Sequence, residues 1–520
     1  MDFKVLLISC ATLFGSVHAQ QLAKGVIFED NNNNGKREQN EKGVAQVAVS
    51  NGREVVLTNT KGEYSLPMSD DNIIFVIKPR NFKFPVDQDN HPKFYYIHKA
   101  KGSPELKYAG TPATGRIPKS IDFPILPNKE SDDFKAFVFG DPQAYNLEEI
   151  AYFKKGIIDD VQHKEGISFG ISLGDLVGND LSLHPAYKQA VGQLGLTWYN
   201  VMGNHDMNFD VKSDSLSDET YEKNFGPNNF SFNYGNTHFI VLDNIIYPNP
   251  RTGKGYLGGF REDQLDFVAN DLKFVPKDKL IVLAFHIPLQ HENSDVFRNE
   301  DRQRLFDLLT EYPHTLSLSA HTHFQKQNYY DQADGWKQAK PHHEYNVGTT
   351  SGDWYSGRMN PQGVPTSTMR DGTPKGYAIL SINDNQYTFD YKVAGHDPTY
   401  QMNLIGPEEI QAKYVRRYTL YANFFIGKPD DKLQYRVDNG AWRDMEISDT
   451  SDPHFAYNVL SYDNTVKLLE GRRPSDPVPS SHLWKAKYPK LGIGTHKIEV
   501  KAIDMFGREH IQAKNVTVLE

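Results

Sequence analysis

Apolar residues in this chain gather in short runs, and the runs in its middle third stop abruptly at polar groups. Residues 134–139, 167–173, 196–202, 280–285 and 316–320 are rich in Phe, Val, Ile, Leu and Ala. Runs of this length, ended by turn residues, read as buried strands. Residues 147–161 place Leu147, Ile150, Ala151, Ile157, Ile158 and Val161 at helical spacing, behind the capping signature Asn146-Leu147-Glu148-Glu149. Further amphipathic stretches cover 262–274 and 299–312. Residues 230–234 and 237–242, joined at Gly235-Asn236, predict a hairpin, as do 377–382 with 387–393. Strands and helices that alternate in this way predict an α/β domain over 129–395.

The flanks have a different rhythm. Short alternating runs such as 45–49 and 54–57, punctuated by Asn51-Gly52 and Lys61-Gly62, predict an all-β module over 20–128, closed by the proline-containing segment 117–128. Within it Asp30-x-Asn32-x-Asn34-Gly35, with Glu41 beyond, has the spacing of a calcium loop; a solvated asparagine-rich turn is the alternative. After residue 395 the strands 418–425, 432–437 and 495–503 predict a second β-sandwich, over 396–520, of immunoglobulin- or fibronectin-like type.

Composition narrows the classes. A chain of 520 residues has room for about three domains. Its net charge of −9 argues against nucleic acid as the main partner. Residues 1–19 read as an export signal, with Lys4, the apolar stretch 5–14 and Val17-His18-Ala19 before Gln20, which predicts a periplasmic or secreted protein. Anchoring as a lipoprotein at Cys10 is the lesser alternative, because it leaves an apolar core of only about seven residues. Cys10 is the only cysteine, so the chain beyond the signal has no disulfides.

The chemistry lies at the ends of the five central runs. They lead into Asp141-Pro142-Gln143, Gly174-Asp175, Gly203-Asn204-His205-Asp206, His286-Ile287-Pro288 and His321-Thr322-His323. Carboxylates, amides and imidazoles just past the ends of buried strands fall at the sheet edge where α/β folds bind ligands. Their pattern predicts a metal site built from several loops. The long loop 351–374, with Asp353, Trp354, Arg358, Arg370 and Asp371, is placed to set specificity beside it.

These five motifs, in this order, resemble the calcineurin-like metallophosphoesterase family over roughly residues 132–395, in the subgroup with an N-terminal prealbumin-like or Cna-B-like domain and a C-terminal β domain. Gln143 stands where the family usually has histidine, and Ala320 where it usually has glycine. The resemblance implies a two-sheet αββα sandwich and two divalent metal ions. It makes Asp175 the bridging ligand, assigns Asp141, Gln143 and His323 to one metal, and assigns Asn204, His286 and His321 to the other. His205 is left to meet the substrate phosphate and protonate the leaving oxygen, with Asp206 orienting its ring. The neutral amide of Gln143 favours manganese, iron or magnesium over zinc. The expected activity is hydrolysis of a phosphomonoester or phosphodiester on a small molecule, glycan or lipid. A surface binding or adhesion protein that uses the fold only as a scaffold is the alternative.

Overall fold

The computed structural model describes residues 21–161, 164–290 and 296–520. Residues 1–19, read above as an export signal, and Cys10 among them lie outside the described residues. Strands β1 (Asp133–Phe139), β2 (Ile167–Ser172) and β3 (Thr197–Asn200) run parallel and adjacent. A second sheet holds β4 (Phe230–Tyr234), β5 (Thr237–Val241), β6 (Leu280–Ala284), β7 (Thr315–Ser319), β8 (Lys326–Tyr330) and β9 (His342–Asn346), in the order β4-β5-β6-β7-β9-β8. In it β5, β6, β7 and β9 are parallel, and the edge strands β4 and β8 run against them. The hairpin β10 (Gly376–Asn383) and β11 (Gln386–Val393) returns to the first sheet, where β10 pairs antiparallel with β1.

Aromatic rings interlock the two sheets. Phe169 of β2 meets Phe239 of β5 edge-on at 5.3 Å and Phe232 of β4 at 5.4 Å, while Tyr199 of β3 stacks on Phe232 at 4.0 Å. Tyr345 of β9 reaches Phe389 of β11 at 4.6 Å. Each such pair adds roughly 0.5–1.5 kcal/mol beyond the area it buries. Helices cover the outer faces. Phe153 of α1 (Leu147–Phe153) packs on Phe139 and on Tyr187 of α2 (His184–Gly192). On the other face α3 (Glu262–Leu272) and α4 (Asn299–Leu308) contribute Leu265, Phe267 and Val268, and Leu305 and Phe306, to the core. The layers are therefore αββα.

One predicted helix changes character. Asn146 caps α1 through the Glu149 amide at 3.0 Å, but the helix passes at Lys154–Ile158 into a π-helical turn. The wider turn keeps Ile157 and Ile158 buried. A helix at Pro453–Asp463, capped by Asp452 through the amides of His454 and Phe455, was not expected among the C-terminal strands. The signal was present as Asp452-Pro453, a capping residue followed by proline at the first helical position. Both flanking regions otherwise form pairs of β-sheets. In the loop Asp30–Glu41 the Asp30 carboxylate accepts the Gly35 amide at 2.8 Å, and Glu41 accepts the amides of Asn31 and Glu38 at 3.0 and 2.9 Å. No helix among the described residues is long and apolar enough to cross a membrane.

The N-terminal sheets are tied to the central αββα sheets by a buried ion pair between Lys78 and Glu130. The ammonium also donates to the Asn233 carbonyl at 2.7 Å, and Glu130 accepts the amides of Asn81 and Gly235, each at 3.1 Å. Burial lowers the pKa of Lys78 and the charge of Glu130 opposes that shift. Removing one partner strands the other without water, so Glu130→Ala is expected to cost about 3–5 kcal/mol. The double change Lys78→Met with Glu130→Met is expected to cost clearly less. Thermal unfolding of the two variants beside the parent checks this; equal losses would show that the pair is solvated.

Candidate metal centre

Five turns at the carboxyl ends of the strands carry the predicted groups. Asp141 and Gln143 follow β1, Asp175 follows β2, Asn204 and His205 follow β3, His286 follows β6, and His321 and His323 follow β7. Six of these are buried; His205 and His321 are half-exposed. The backbone is left-handed at Asp141, Gln143, Asp175, His321 and His323, with φ of 31°, 37°, 48°, 70° and 55°. Each such residue costs roughly 1–3 kcal/mol and persists only where its surroundings hold it. Here the loops hold one another: the Gln143 amide donates to the Asp175 carbonyl at 2.8 Å, the His321 amide to Asp141 Oδ2 at 3.0 Å, and the His205 amide to Asp175 Oδ1 at 2.8 Å. Gly203 permits this approach, since a Cβ there would lie 1.9 Å from the Asp175 amide nitrogen. Ala320 stands in place of glycine without strain, because the left-handed turn falls on His321 instead.

The side chains meet in two groups. His286 Nδ1 lies 2.7 Å from the Leu173 carbonyl, which can only accept, so in the neutral ring the lone pair is on Nε2. That nitrogen faces Asn204 Oδ1 at 3.1 Å, Asp175 Oδ2 at 3.2 Å and His321 Nδ1 at 3.1 Å. His323 repeats the arrangement, with Nδ1 donating to the Gly352 carbonyl at 2.8 Å and Nε2 3.8 Å from Asp141 Oδ1. Both Asp141 Oδ1 and Gln143 Oε1 are buried without a hydrogen-bond partner among the described residues. Lone pairs facing one another repel unless a positive charge lies among them. The donor set therefore fits divalent cations, and the ligand atoms of Asp175, His286 and His321 all lie within 4.8 Å of one another.

The titration behaviour points the same way. Burial opposes a charge on His286, yet Asp175 and Asp141 outweigh it and raise its pKa to about 9. Burial likewise opposes ionisation of Asp175, but His286 and His205 hold its carboxyl below the usual range. Burial pushes Asp141 well above that range; His286 opposes the shift and Asp175 adds to it. The protein thus favours positive charge at the point where these groups converge.

The expected role of Asp206 is corrected. Its carboxylate does not meet the His205 ring; it accepts the amides of Leu176, Val177 and Gly203 at 3.1, 3.3 and 2.9 Å and faces His184 Nε2 at 3.1 Å. It fastens the turn after β2 to the turn after β3. The His205 ring is oriented by Asn179, whose Oδ1 lies 2.7 Å from Nδ1, which leaves Nε2 to act outward. Sequence reading missed Asn179, although Gly178-Asn179 carries a turn signature and Asn179 has φ of 71°. It also missed Tyr145, whose ring stands edge-on to His205 at 6.0 Å, and Tyr256, similarly placed against His321 at 6.0 Å. Of the loop 351–374, Trp354 stacks on His323 at 3.9 Å. Asp353 and Asp371 of that loop are buried anchors, and Arg358 is exposed.

Three family models match the chain along its length: the N terminal of calcineurin-like phosphoesterase over residues 31–110, calcineurin-like phosphoesterase over 134–325, and the C terminal of calcineurin-like phosphoesterase over 344–510. The chain belongs to the calcineurin-like phosphoesterase family. This calcineurin-like phosphoesterase is 29% identical over 160 residues to a probable glycerophosphodiester phosphodiesterase of Arcobacter nitrofigilis, a match that spans 29% of this chain and 55% of that protein. Among solved structures it is similar to a purple acid phosphatase from yellow lupin (Lupinus luteus) seeds, at 14% identity and a TM-score of 0.36 over 67% of each chain. It is also similar to GAP50, the anchor in the inner membrane complex of Plasmodium, at 14% identity and a TM-score of 0.31, over 51% of this chain and 85% of that one. Membership of the family implies divalent metal ions at the centre described above.

The division of labour between Asp206 and Asn179 can be separated by experiment. Asp206→Ala deletes a buried acceptor of several amides and is expected to destabilise the calcineurin-like phosphoesterase by more than about 2 kcal/mol. Asn179→Gly, which keeps the left-handed backbone free of strain, is expected to leave the melting temperature within a degree or so but to change the tautomer populations of His205, followed by nitrogen NMR of the imidazole. An unchanged His205 spectrum would show that Asn179 does not hold the ring.

Proposed function

We propose that this calcineurin-like phosphoesterase is an exported, dinuclear metal-dependent enzyme that hydrolyses phosphomonoesters or phosphodiesters. The observation that carries the reading is the convergence of donor atoms on His286 Nε2, which faces Asn204 Oδ1 at 3.1 Å, Asp175 Oδ2 at 3.2 Å and His321 Nδ1 at 3.1 Å, with Asp141 Oδ1 at 4.0 Å. Asp141, Gln143 and His323 would hold one ion, Asn204, His286 and His321 the other, with Asp175 shared between them. Two divalent ions in such a site neutralise phosphoryl charge and lower the pKa of water. The chain's own residues supply the rest. Strained turns keep the donors fixed before substrate arrives, which lowers the cost of reorganisation at the moment of reaction. Asn179 accepts from Nδ1 of His205, and Nε2 would give a proton to the departing alkoxide.

The scaffold alternative is disfavoured because every candidate donor and His205 are present together. Export rests on the pattern of residues 1–19, and a periplasmic or secreted site of action follows from it. Manganese, iron or magnesium is proposed over zinc because Gln143 contributes a neutral amide oxygen.

The direct test is turnover of p-nitrophenyl phosphate and bis-p-nitrophenyl phosphate by metal-stripped protein refilled with one metal at a time. Hydrolysis of at least one ester, dependent on refilling, is expected; inert protein with every metal would remove the enzyme reading. Asp175→Asn is expected to abolish turnover and lower the bound metal below two ions per chain, measured by elemental analysis. His205→Ala is expected to retain both ions while slowing esters with poor leaving groups by roughly 10²–10⁴-fold. Activated aryl esters should be affected much less. A plot of rate against leaving-group pKa with the same slope in both proteins would show that His205 is not the acid.

A further inference from the structure

Beside His321 lies a cavity of about 380 Å³, between the catalytic sheets and the C-terminal domain. Its lining includes His321 and Trp354 from the metal centre, Lys326 and Arg370, and Val478 and Pro479 from the C-terminal segment. Among the described residues that line it there is no Asp or Glu. Lys326 and Arg370 are both half-buried, and no ion pair joins either to a described carboxylate. Arg370 donates from Nε to the Asp476 carbonyl at 3.2 Å, and its terminal nitrogens have no acceptor among the described residues. In a chain of net charge −9, a cavity with two cations and no acid among its described lining residues is a local reversal of sign.

The acids of the same loop are committed elsewhere. Asp371 accepts the Gln325 amide at 2.8 Å and faces His482 Nε2 at 2.9 Å, and Asp353 accepts the Ser475 amide at 2.7 Å. These contacts bind the loop to the C-terminal domain. The Tyr355 hydroxyl, which donates to the Pro142 carbonyl, binds it to the turn after β1. The wall of the cavity is therefore fixed, and Lys326 and Arg370 share it without an ion-pair partner among the described residues. Two half-desolvated cations repel and lose hydration, and an anion between them relieves both costs.

We infer that this cavity is a subsite for a second anionic oxyacid group, carried on the organic part of the phosphate ester that the metal centre holds. The inference rests on the phosphoesterase reading and names the class of substrate within it: esters that bear a carboxylate or a further phosphate apart from the scissile one.

Two non-hydrolysable probes test it, benzylphosphonate and 4-carboxybenzylphosphonate, titrated calorimetrically into the metal-loaded full-length protein. The carboxylated probe is expected to bind about tenfold tighter to the parent, the range of a partly desolvated charge contact. In Lys326→Gln with Arg370→Gln the ratio should fall to near one while benzylphosphonate keeps its affinity within about twofold, which also shows that the variant is folded. Arg370→Lys should retain part of the preference. Equal affinities of the two probes for the parent protein would overturn the inference, whether or not the variants fold. Failure of the phosphoesterase reading is seen separately, as absence of aryl ester turnover, and leaves the binding ratio as a valid measurement.

Discussion

Groups that repel one another have to be brought within a few ångströms at a buried edge, and the rest of the molecule answers to that demand. Asp175, His286 and His321 bring ligand atoms within 4.8 Å of one another, and beside them Asp141 Oδ1 and Gln143 Oε1 are buried with no hydrogen-bond partner among the described residues. A flexible scaffold would let them separate. Two sheets locked by aromatic contacts between β2, β3, β4 and β5 do not, because a close-packed interior resists the small displacements that would relieve the repulsion. The strands end where the site begins, so their rigidity is passed directly to the ligand-bearing turns.

Those turns carry strain as well as charge. Left-handed backbone at five ligand positions is sustained by hydrogen bonds from one turn to the next, with Asp206 as the fastener between the second and third. The loop after β9 adds an outer brace: Trp354 lies on His323, and Tyr355 is bonded to the first turn. Because Asp371 is held by His482 and Asp353 by Ser475, the C-terminal domain takes part in fixing that loop. The N-terminal domain holds the catalytic sandwich in two places: through Lys78 and Glu130, which meet Asn233 and Gly235, and through the backbone of Lys107 and Tyr108, which bonds Asp210, Asn208 and Thr220 beyond the turn after β3. Both flanking domains thus brace segments that adjoin the ligand-bearing turns.

Much of this was legible before the fold was known. Each of β1, β2, β3, β6 and β7 appeared as a mainly apolar run, because burial favours apolar side chains and admits only small or hydrogen-bonded polar ones such as Ser172, Asn200, Ser317 and Ser319. The seven candidate donors stand just past the last residues of these runs, so they could be proposed by position. The αββα class came with the motifs, and both hairpins were marked by their turn residues. The π-helical turn after α1 was not legible, since its side-chain pattern differs from that of an α-helix by only one residue. The C-terminal helix was overlooked because its capping residue and proline lay among strands that drew the eye.

What the sequence by itself determined was which residues could bind metal, and that they lay at strand ends; local patterning encodes both, since burial and turn formation depend on near neighbours. Only the tertiary structure decided how those residues pair. Asp206 follows His205 in the chain, yet it serves the Leu176 and Gly203 amides, while Asn179, 26 residues away, holds the His205 ring. Lys326 and Arg370, 44 positions apart by their numbering, become walls of one cavity. Hydrogen bonds and charge act through a few ångströms of space, and which distant segments share that space is set by the packing of the two sheets and not by adjacency along the chain.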